Sequence, residues 1–82
     1  MTITPETISL FPNPVTNELK LSCMQPVKEM KIFNCLGEEI IYQKSETVLE
    51  HLIVDVSQLK NGIYFLQVMF ENSFITKKFI KE

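Results

Sequence analysis

The sequence predicts an all-β fold, a sandwich of seven antiparallel strands. Short apolar segments alternate with turn residues at intervals of about 8 to 12 residues, which is the spacing found in sandwiches and barrels. Several segments alternate apolar and polar residues with period two, and none carries the stripe of an amphipathic helix. With 82 residues, 45% of them hydrophobic and 22% charged, the chain fits one folded domain with a thin core.

The predicted strands follow a linker over residues 1–6 and occupy a domain over residues 7–82. The linker has threonines and a proline but no sustained period. The seven strands are predicted at Thr7–Phe11, Glu18–Cys23, Lys28–Asn34, Glu38–Lys44, His51–Val56, Ile63–Glu71 and Ser73–Lys81. The period-two positions expected to face the core are Leu19, Leu21, Met30, Ile32, Leu52, Val54, Val56, Tyr64, Leu66, Val68 and Phe70.

Turn residues separate these strands. Pro12 and Pro14 cannot donate to a strand ladder and therefore end the first strand, and Pro26 separates the second from the third. Gly37 can supply a positive φ for the hairpin after the third strand, and Asn72 is predicted to adopt left-handed geometry in the last hairpin. The last two strands are the longest, so the C-terminal hairpin is the most strongly specified local unit.

The charge balance and the cysteines exclude several kinds of function. The chain has eight lysines, no arginine and a formal net charge of −2, so nucleic-acid binding is not expected. No apolar run approaches the roughly 20 residues that cross a bilayer. Cys23 and Cys35 are too few for a disulfide framework and are expected at opposite ends of the sandwich. We therefore expect two thiols, no metal site and no cofactor.

The sequence offers no convergent catalytic group, so we expect no enzyme and no catalytic residue. His51 and Asp55 are the only histidine and the only aspartate. On one strand they would stand ~13 Å apart, too far for a base and its orienting partner. Glu38 and Glu39 would point to opposite faces and cannot flank one scissile bond.

Four motifs follow one another along the chain. Leu10–Pro14 places an aromatic residue before Pro-Asn-Pro, and Ile32–Gly37 is an apolar strand that ends in an amide and then a glycine. Leu59–Tyr64 has the pattern Leu-x-x-Gly-x-Tyr, and Lys77–Lys81 combines lysines with apolar residues. In their order and spacing the motifs resemble the type A C-terminal sorting domains of type IX (Por system) secretion cargo. The resemblance rests on Pro12, Asn13, Pro14, Asn34, Gly37, Leu59, Gly62, Tyr64, Lys77, Lys78, Phe79 and Lys81.

The resemblance implies an immunoglobulin-like β-sandwich that acts as a secretion signal. It implies a cargo protein fused upstream, a signal peptide outside this sequence, export to the periplasm, and passage through the type IX outer-membrane translocon to the cell surface. A sortase-like peptidase then removes the domain. The cleavage region that corresponds to the family's is the linker, with Thr2, Ile3, Thr4, Pro5 and Glu6. Asn34 stands where an aspartate is common in the family, and this difference affects local stability more than it affects the family resemblance.

Each motif also has a structural interpretation. Pro12-Asn13-Pro14 would form a rigid turn, Leu59 would plug the open end of the sandwich, and Tyr64 would bury its ring while its hydroxyl bonds to the backbone. The lysines would protect an edge strand from pairing, with Lys77 and Lys81 on one face and Lys78 on the other. Exposed edge strands would also allow a weak dimer.

Two alternative functions belong to other classes. The first is an immunoglobulin-like accessory module that binds carbohydrate or protein, for which Phe33 and Tyr42 are the candidate exposed aromatic residues. The second is a small enzyme. A glycan-binding screen distinguishes the accessory module from the secretion signal.

Overall fold

The computed structural model describes residues 8–23, 26–44 and 51–82, and within them seven strands form two antiparallel sheets. The strands are β1 (Ile8–Phe11), β2 (Glu18–Cys23), β3 (Glu29–Asn34), β4 (Glu39–Lys44), β5 (His51–Asp55), β6 (Gly62–Met69) and β7 (Phe74–Lys81). Each predicted strand is confirmed, with bounds that agree within two residues. The predicted linker over residues 1–6 lies outside the described residues.

The strands divide into a three-stranded sheet with the order β1-β2-β5 and a four-stranded sheet with the order β4-β3-β6-β7. The ladder between β6 and β7 is regular over eight residue pairs, from Gly62 opposite Lys81 to Met69 opposite Phe74. The segment after β1 adds a parallel bridge between Val15 and Lys81. The chain therefore crosses from one sheet to the far edge of the other between β1 and β2.

The inner faces of both sheets share one hydrophobic core. All the period-two positions predicted to face the core are buried, because alternate side chains of a strand point to the same face of its sheet. Val15, Leu19, Val56, Leu66, Val68 and Phe79 are fully buried. Edge strand β4 contributes only the partly buried Ile41. The core thus lies between β2 and β5 on one side and β3, β6 and β7 on the other.

The turn predictions are right for Gly37 and wrong for Asn72. Gly37 has a φ of +85°, and its N–H donates to the carbonyl of Asn34 at 3.0 Å. Among the described residues no residue other than glycine has a positive φ, so Asn72 is not left-handed. The hairpin is closed by the N–H of Phe70, which donates to the carbonyl of Ser73 at 2.8 Å. Glu71 and Asn72 thus reverse the chain with negative φ, as the central residues of a type I turn do.

Neither Cys23, which is buried, nor Cys35, which is exposed, takes part in a disulfide. Within the described ranges no helix has the length and apolar character needed to span a bilayer.

A pair of identical substitutions tests the assignment of the core. Ile32 is 1% exposed and Ile53 is 53% exposed, although both lie in strands. We expect Ile32→Val to lower the free energy of unfolding by about 0.5–1.5 kcal/mol, because it leaves a buried gap. Ile53→Val should change it by less than about 0.5 kcal/mol. Denaturant unfolding measures both, and equal effects would contradict the assignment.

Candidate functional site: the convergence of the four motifs

The four motifs meet at one end of the four-stranded sheet. Asn34, the last residue of β3, lies opposite Tyr64 of β6, and Tyr64 lies opposite Phe79 of β7. Gly62 lies opposite Lys81, which is also bridged to Val15. Residues spread over the whole sequence are thereby brought together by strand register. We call this group of motif residues the motif end of the sheet.

The Pro-Asn-Pro motif is bound to the last strand by the side chain of Asn13, and the adjacent Val15 is bound to the same strand by its backbone. The N–H of Ile80 donates to Oδ1 of Asn13 at 2.9 Å, although the two residues are 67 positions apart. The N–H of Val15 donates to the carbonyl of Ile80, and the N–H of Glu82 donates to the carbonyl of Val15, both at 2.8 Å. We call residues 12–15 the N-terminal strap. Its prolines are exposed and Val15 is fully buried, so the strap is anchored through Asn13 and Val15.

The Leu-x-x-Gly-x-Tyr motif packs inward, as predicted. Tyr64 is 8% exposed, and its hydroxyl donates to the carbonyl of Lys60 at 2.7 Å. Its ring stacks on that of Phe79, with the ring centroids 5.7 Å apart. Leu59 is half-buried and packs against the core. This motif therefore stabilises the motif end from inside.

A side-chain turn after β5 leads the chain into this motif. Oδ1 of Asp55 accepts a hydrogen bond from the hydroxyl of Ser57 at 2.6 Å and one from its N–H at 2.9 Å. These two bonds, the hydroxyl bond foremost, hold the pKa of Asp55 below its usual value. The N–H of Leu59 then donates to the carbonyl of Val56 at 3.0 Å. Asp55 is thus occupied in a turn, the local role that aspartates commonly take.

The turn after β3 is organised by the amide of Asn34. Its Oδ1 accepts the N–H groups of Leu36 at 2.9 Å and Glu38 at 3.0 Å, and its Nδ2 donates to Oε1 of Glu38 at 2.9 Å. An asparagine can therefore make the backbone contacts that an aspartate would make at this position. Together with Gly37, it shapes the hairpin locally.

The lysines of β7 differ in their surroundings. Lys78 is exposed and Lys77 is half-buried, whereas Lys81 is 6% exposed and its Nζ donates to the carbonyl oxygen of Glu82 at 3.3 Å. The predicted alternation, with Lys77 and Lys81 on one face and Lys78 on the other, is confirmed. Protection of the edge does not extend to Lys81, because its face is the inner one, in line with the fully buried Phe79. Only Lys78 stands fully in solvent.

No group of three or more metal-binding side chains occurs within residues 8–23, 26–44 and 51–82.

On the outer face of β3 and β4, the hydroxyl of Tyr42 donates to the carboxylate of Glu29 at 2.6 Å. This bond is the main cause that raises the pKa of Tyr42 above its usual value. Lys31 pairs with Glu39 at 3.6 Å. The polar side chains of Tyr42, Glu29, Lys31 and Glu39 are therefore paired with one another at the surface.

Val15 contacts the motif end but belongs to none of the four motifs, and the sequence did not predict its role. It is a lone apolar residue between Pro14 and Thr16, and no period marks it as buried. The one local sign that Val15 could be buried is that it is an apolar residue within a run of turn residues. Its bridge to Lys81 requires knowledge of which strands are neighbours.

The family comparison decides the identity. Residues 9–82 match the secretion system C-terminal sorting domain. The chain belongs to this family, the sorting domains of type IX secretion. The sorting domain is thus a type IX sorting signal, which implies cargo fused upstream and delivery to the cell surface or the extracellular space. A comparison with curated proteins finds no match.

Loss of the Asn13 side chain should loosen the strap. We expect Asn13→Ala to lower the free energy of unfolding by about 0.5–1.5 kcal/mol, because the N–H of Ile80 loses its acceptor. Amide hydrogen exchange should become several-fold faster at Ile80 and stay unchanged at Lys77, which faces β6. Asn13→Asp keeps an acceptor oxygen and should lose less. Unchanged exchange at Ile80 in Asn13→Ala would contradict the role of the strap.

The turn at Asp55 should make stability depend on pH. Because the folded pKa of Asp55 is lowered, its stabilising effect is present above the unfolded pKa of about 4 and is lost as pH falls through the folded value. Ser57→Ala removes the hydroxyl donor. The stability difference between the unmodified chain and Ser57→Ala should therefore be largest above about pH 5. Denaturant unfolding between pH 2 and 7 measures it, and a difference that does not vary with pH would refute this assignment.

Proposed function

We propose that this domain is an immunoglobulin-like secretion signal that directs its cargo from the periplasm through the type IX outer-membrane translocon. A sortase-like peptidase then removes it, and the domain itself performs no catalysis. The convergence of all four sorting motifs on one end of one sheet supports the proposal. A folded end built from the whole chain offers the machinery a surface with a defined shape.

The proposed cleavage region is the linker, over Thr2, Ile3, Thr4, Pro5 and Glu6. The first described strand begins at Ile8, which is buried and paired with Cys23 of β2. A cut upstream of this strand would leave the ladder and the core intact. The peptidase could therefore separate cargo from a domain that stays folded.

The motif residues divide into buried and accessible groups. Tyr64, Phe79 and Lys81 are buried and hold the motif end together, so we assign them to the fold. The prolines of the strap and Lys78 are exposed and can contact the machinery. Sorting would then depend on the first group through stability and on the second through contact.

The alternative, an accessory module that binds carbohydrate, has weaker support. Tyr42 is exposed, but its hydroxyl is hydrogen bonded to Glu29. Phe33, on the neighbouring strand, is only partly exposed. Sugar sites generally present aromatic rings beside available polar groups. The sorting motifs, in contrast, lie together at one end of the four-stranded sheet.

A reporter fusion tests the proposal. We expect a signal-peptide-bearing reporter joined to residues 1–82 to reach the cell surface in a host with the type IX machinery, and to accumulate in the periplasm when the translocon is deleted. The reporter without these residues should stay in the periplasm of both strains. Deletion of residues 77–82 is a poor test, because it removes the fully buried Phe79 and we expect it to unfold the domain. Equal surface delivery with and without the domain would refute the proposal.

A further inference from the structure

The outer edge of β7 is divided into a covered part and an open part. β7 is the last strand of its sheet, so one side of its backbone faces away from β6. The strap covers that side at Ile80 and Glu82. In the described part of the chain, no backbone group bonds to the outer side between Phe74 and Lys78. The open part therefore begins where the strap ends.

The hydrogen bonds of the strap show which residues face outward. Along an antiparallel strand, alternate residues direct both the N–H and the C=O to the same side. Both groups of Ile80 bond to the strap, on the side away from β6. Phe74, Thr76 and Lys78 share this parity and direct their N–H and C=O groups outward. Three residues thus present six backbone polar groups along one line.

The other sheet edges in the described chain are shorter, irregular or acidic. β1 has four residues. β5 has five, as many as the open part of β7, but it carries the carboxylate of Asp55, whereas the open part of β7 carries two lysines and no carboxylate. The fourth edge strand, β4, is irregular, because its register shifts between Ile32 and Phe33 of its partner β3. A bulge bends an edge and discourages pairing, whereas a long regular edge favours it. The β7 edge is therefore the one that strand addition would use.

The charge of the open edge indicates the chemistry of its partner. Lys77 and Lys78 lie on this stretch, and β7 contains no acidic residue. Neither lysine forms an ion pair with another described residue. The strap shows that the neighbouring stretch of this same edge already forms backbone hydrogen bonds with a second segment, at Val15. A second extended segment with acidic side chains would continue that arrangement.

We propose that the edge from Phe74 to Lys78 is the docking edge for an extended, acidic segment of the type IX machinery. The segment adds to the four-stranded sheet as a fifth strand, with backbone hydrogen bonds to the outward groups and a carboxylate close to Lys78. The strap sets the limit of the docked segment, because it occupies the remainder of the edge. This inference rests on the proposed sorting function and names the site of contact.

A proline at Thr76 tests the edge in the reporter fusion. Thr76→Pro removes one outward N–H and leaves the ladder to β6, which is formed by residues of the other parity. We expect surface delivery to fall at least tenfold while the fusion accumulates in the periplasm. Thr76→Val restores the N–H and should rescue delivery. A folded Thr76→Pro fusion that is delivered as well as the unmodified one would overturn the proposal.

The matched control is a proline on the edge of the other sheet. Val56 donates its N–H to Asn17, on the β2 side, so Ile53 of β5 has the opposite parity and its N–H faces outward. Ile53→Pro should keep full delivery. A thermal midpoint within about 8 °C of the unmodified domain shows that each proline variant folds. If Thr76→Pro does not fold, Phe74→Pro at the start of the strand replaces it, with the same expected loss.

Further outcomes separate the docking edge from dimerisation and from failure of the proposed function. Lys78→Glu should reduce delivery more than Lys78→Gln, since only the first repels an acidic segment. A dimer in sedimentation that Thr76→Pro dissociates would assign the edge to a second copy and overturn the proposal. If the unmodified fusion fails to reach the surface, the proposed function fails. If it reaches the surface and Thr76→Pro does too, the docking edge alone fails.

Discussion

The end of β7 is hydrogen bonded on both sides, and the rest of the motif end depends on this constraint. On one side it pairs with β6 from Gly62 onward, and on the other it is bound by the strap through Asn13 and Val15. The beginning and the end of the domain therefore form one unit. A partner that binds this end binds a shape that exists only when the whole chain has folded.

The same constraint explains why sorting motifs and folding residues coincide. Tyr64 stacks on Phe79, and its hydroxyl bonds to the carbonyl of Lys60, so two of the motifs form one packed contact. Asn34 lies directly opposite Tyr64 while its amide holds the neighbouring hairpin. Substitution of a motif residue can consequently abolish delivery through loss of structure alone. The accessible remainder, chiefly the exposed prolines, Lys78 and the open edge of β7, is where the proposed contact with the machinery would occur.

Much of this architecture could be predicted from the sequence, because it is encoded locally. Alternation of apolar residues gave the strands and their inward faces, and Gly37 marked a turn that needs a positive φ. The contact of Asn13 with Ile80 could not be predicted, since it depends on which strands are neighbours. Asparagine tolerates left-handed geometry, but that tolerance does not require it, and the two residues between Phe70 and Ser73 reverse the chain with no positive φ.

For Lys81, the period-two alternation of the strand predicts the side-chain position better than the charge of the residue does. Alternation places it on the inner face with Phe79, and the structure buries it there, yet its charge suggested an exposed position. A lysine can bury its long apolar stem while its amine reaches a polar group, here the carbonyl oxygen of Glu82. The lysines of this strand therefore have separate roles, and only Lys78 is fully exposed.

The most direct test of the account compares delivery with stability in one reporter fusion. A graded series at Ile32, with Val, Ala and Gly, would define how surface delivery falls as the free energy of unfolding falls. Asn13→Ala, Leu59→Ala and Tyr64→Phe are then placed on the same plot. The account predicts that these motif variants lie on the curve that the Ile32 series defines. Loss of delivery at full stability in any of these three variants would contradict it, because that residue would then be recognised directly by the machinery.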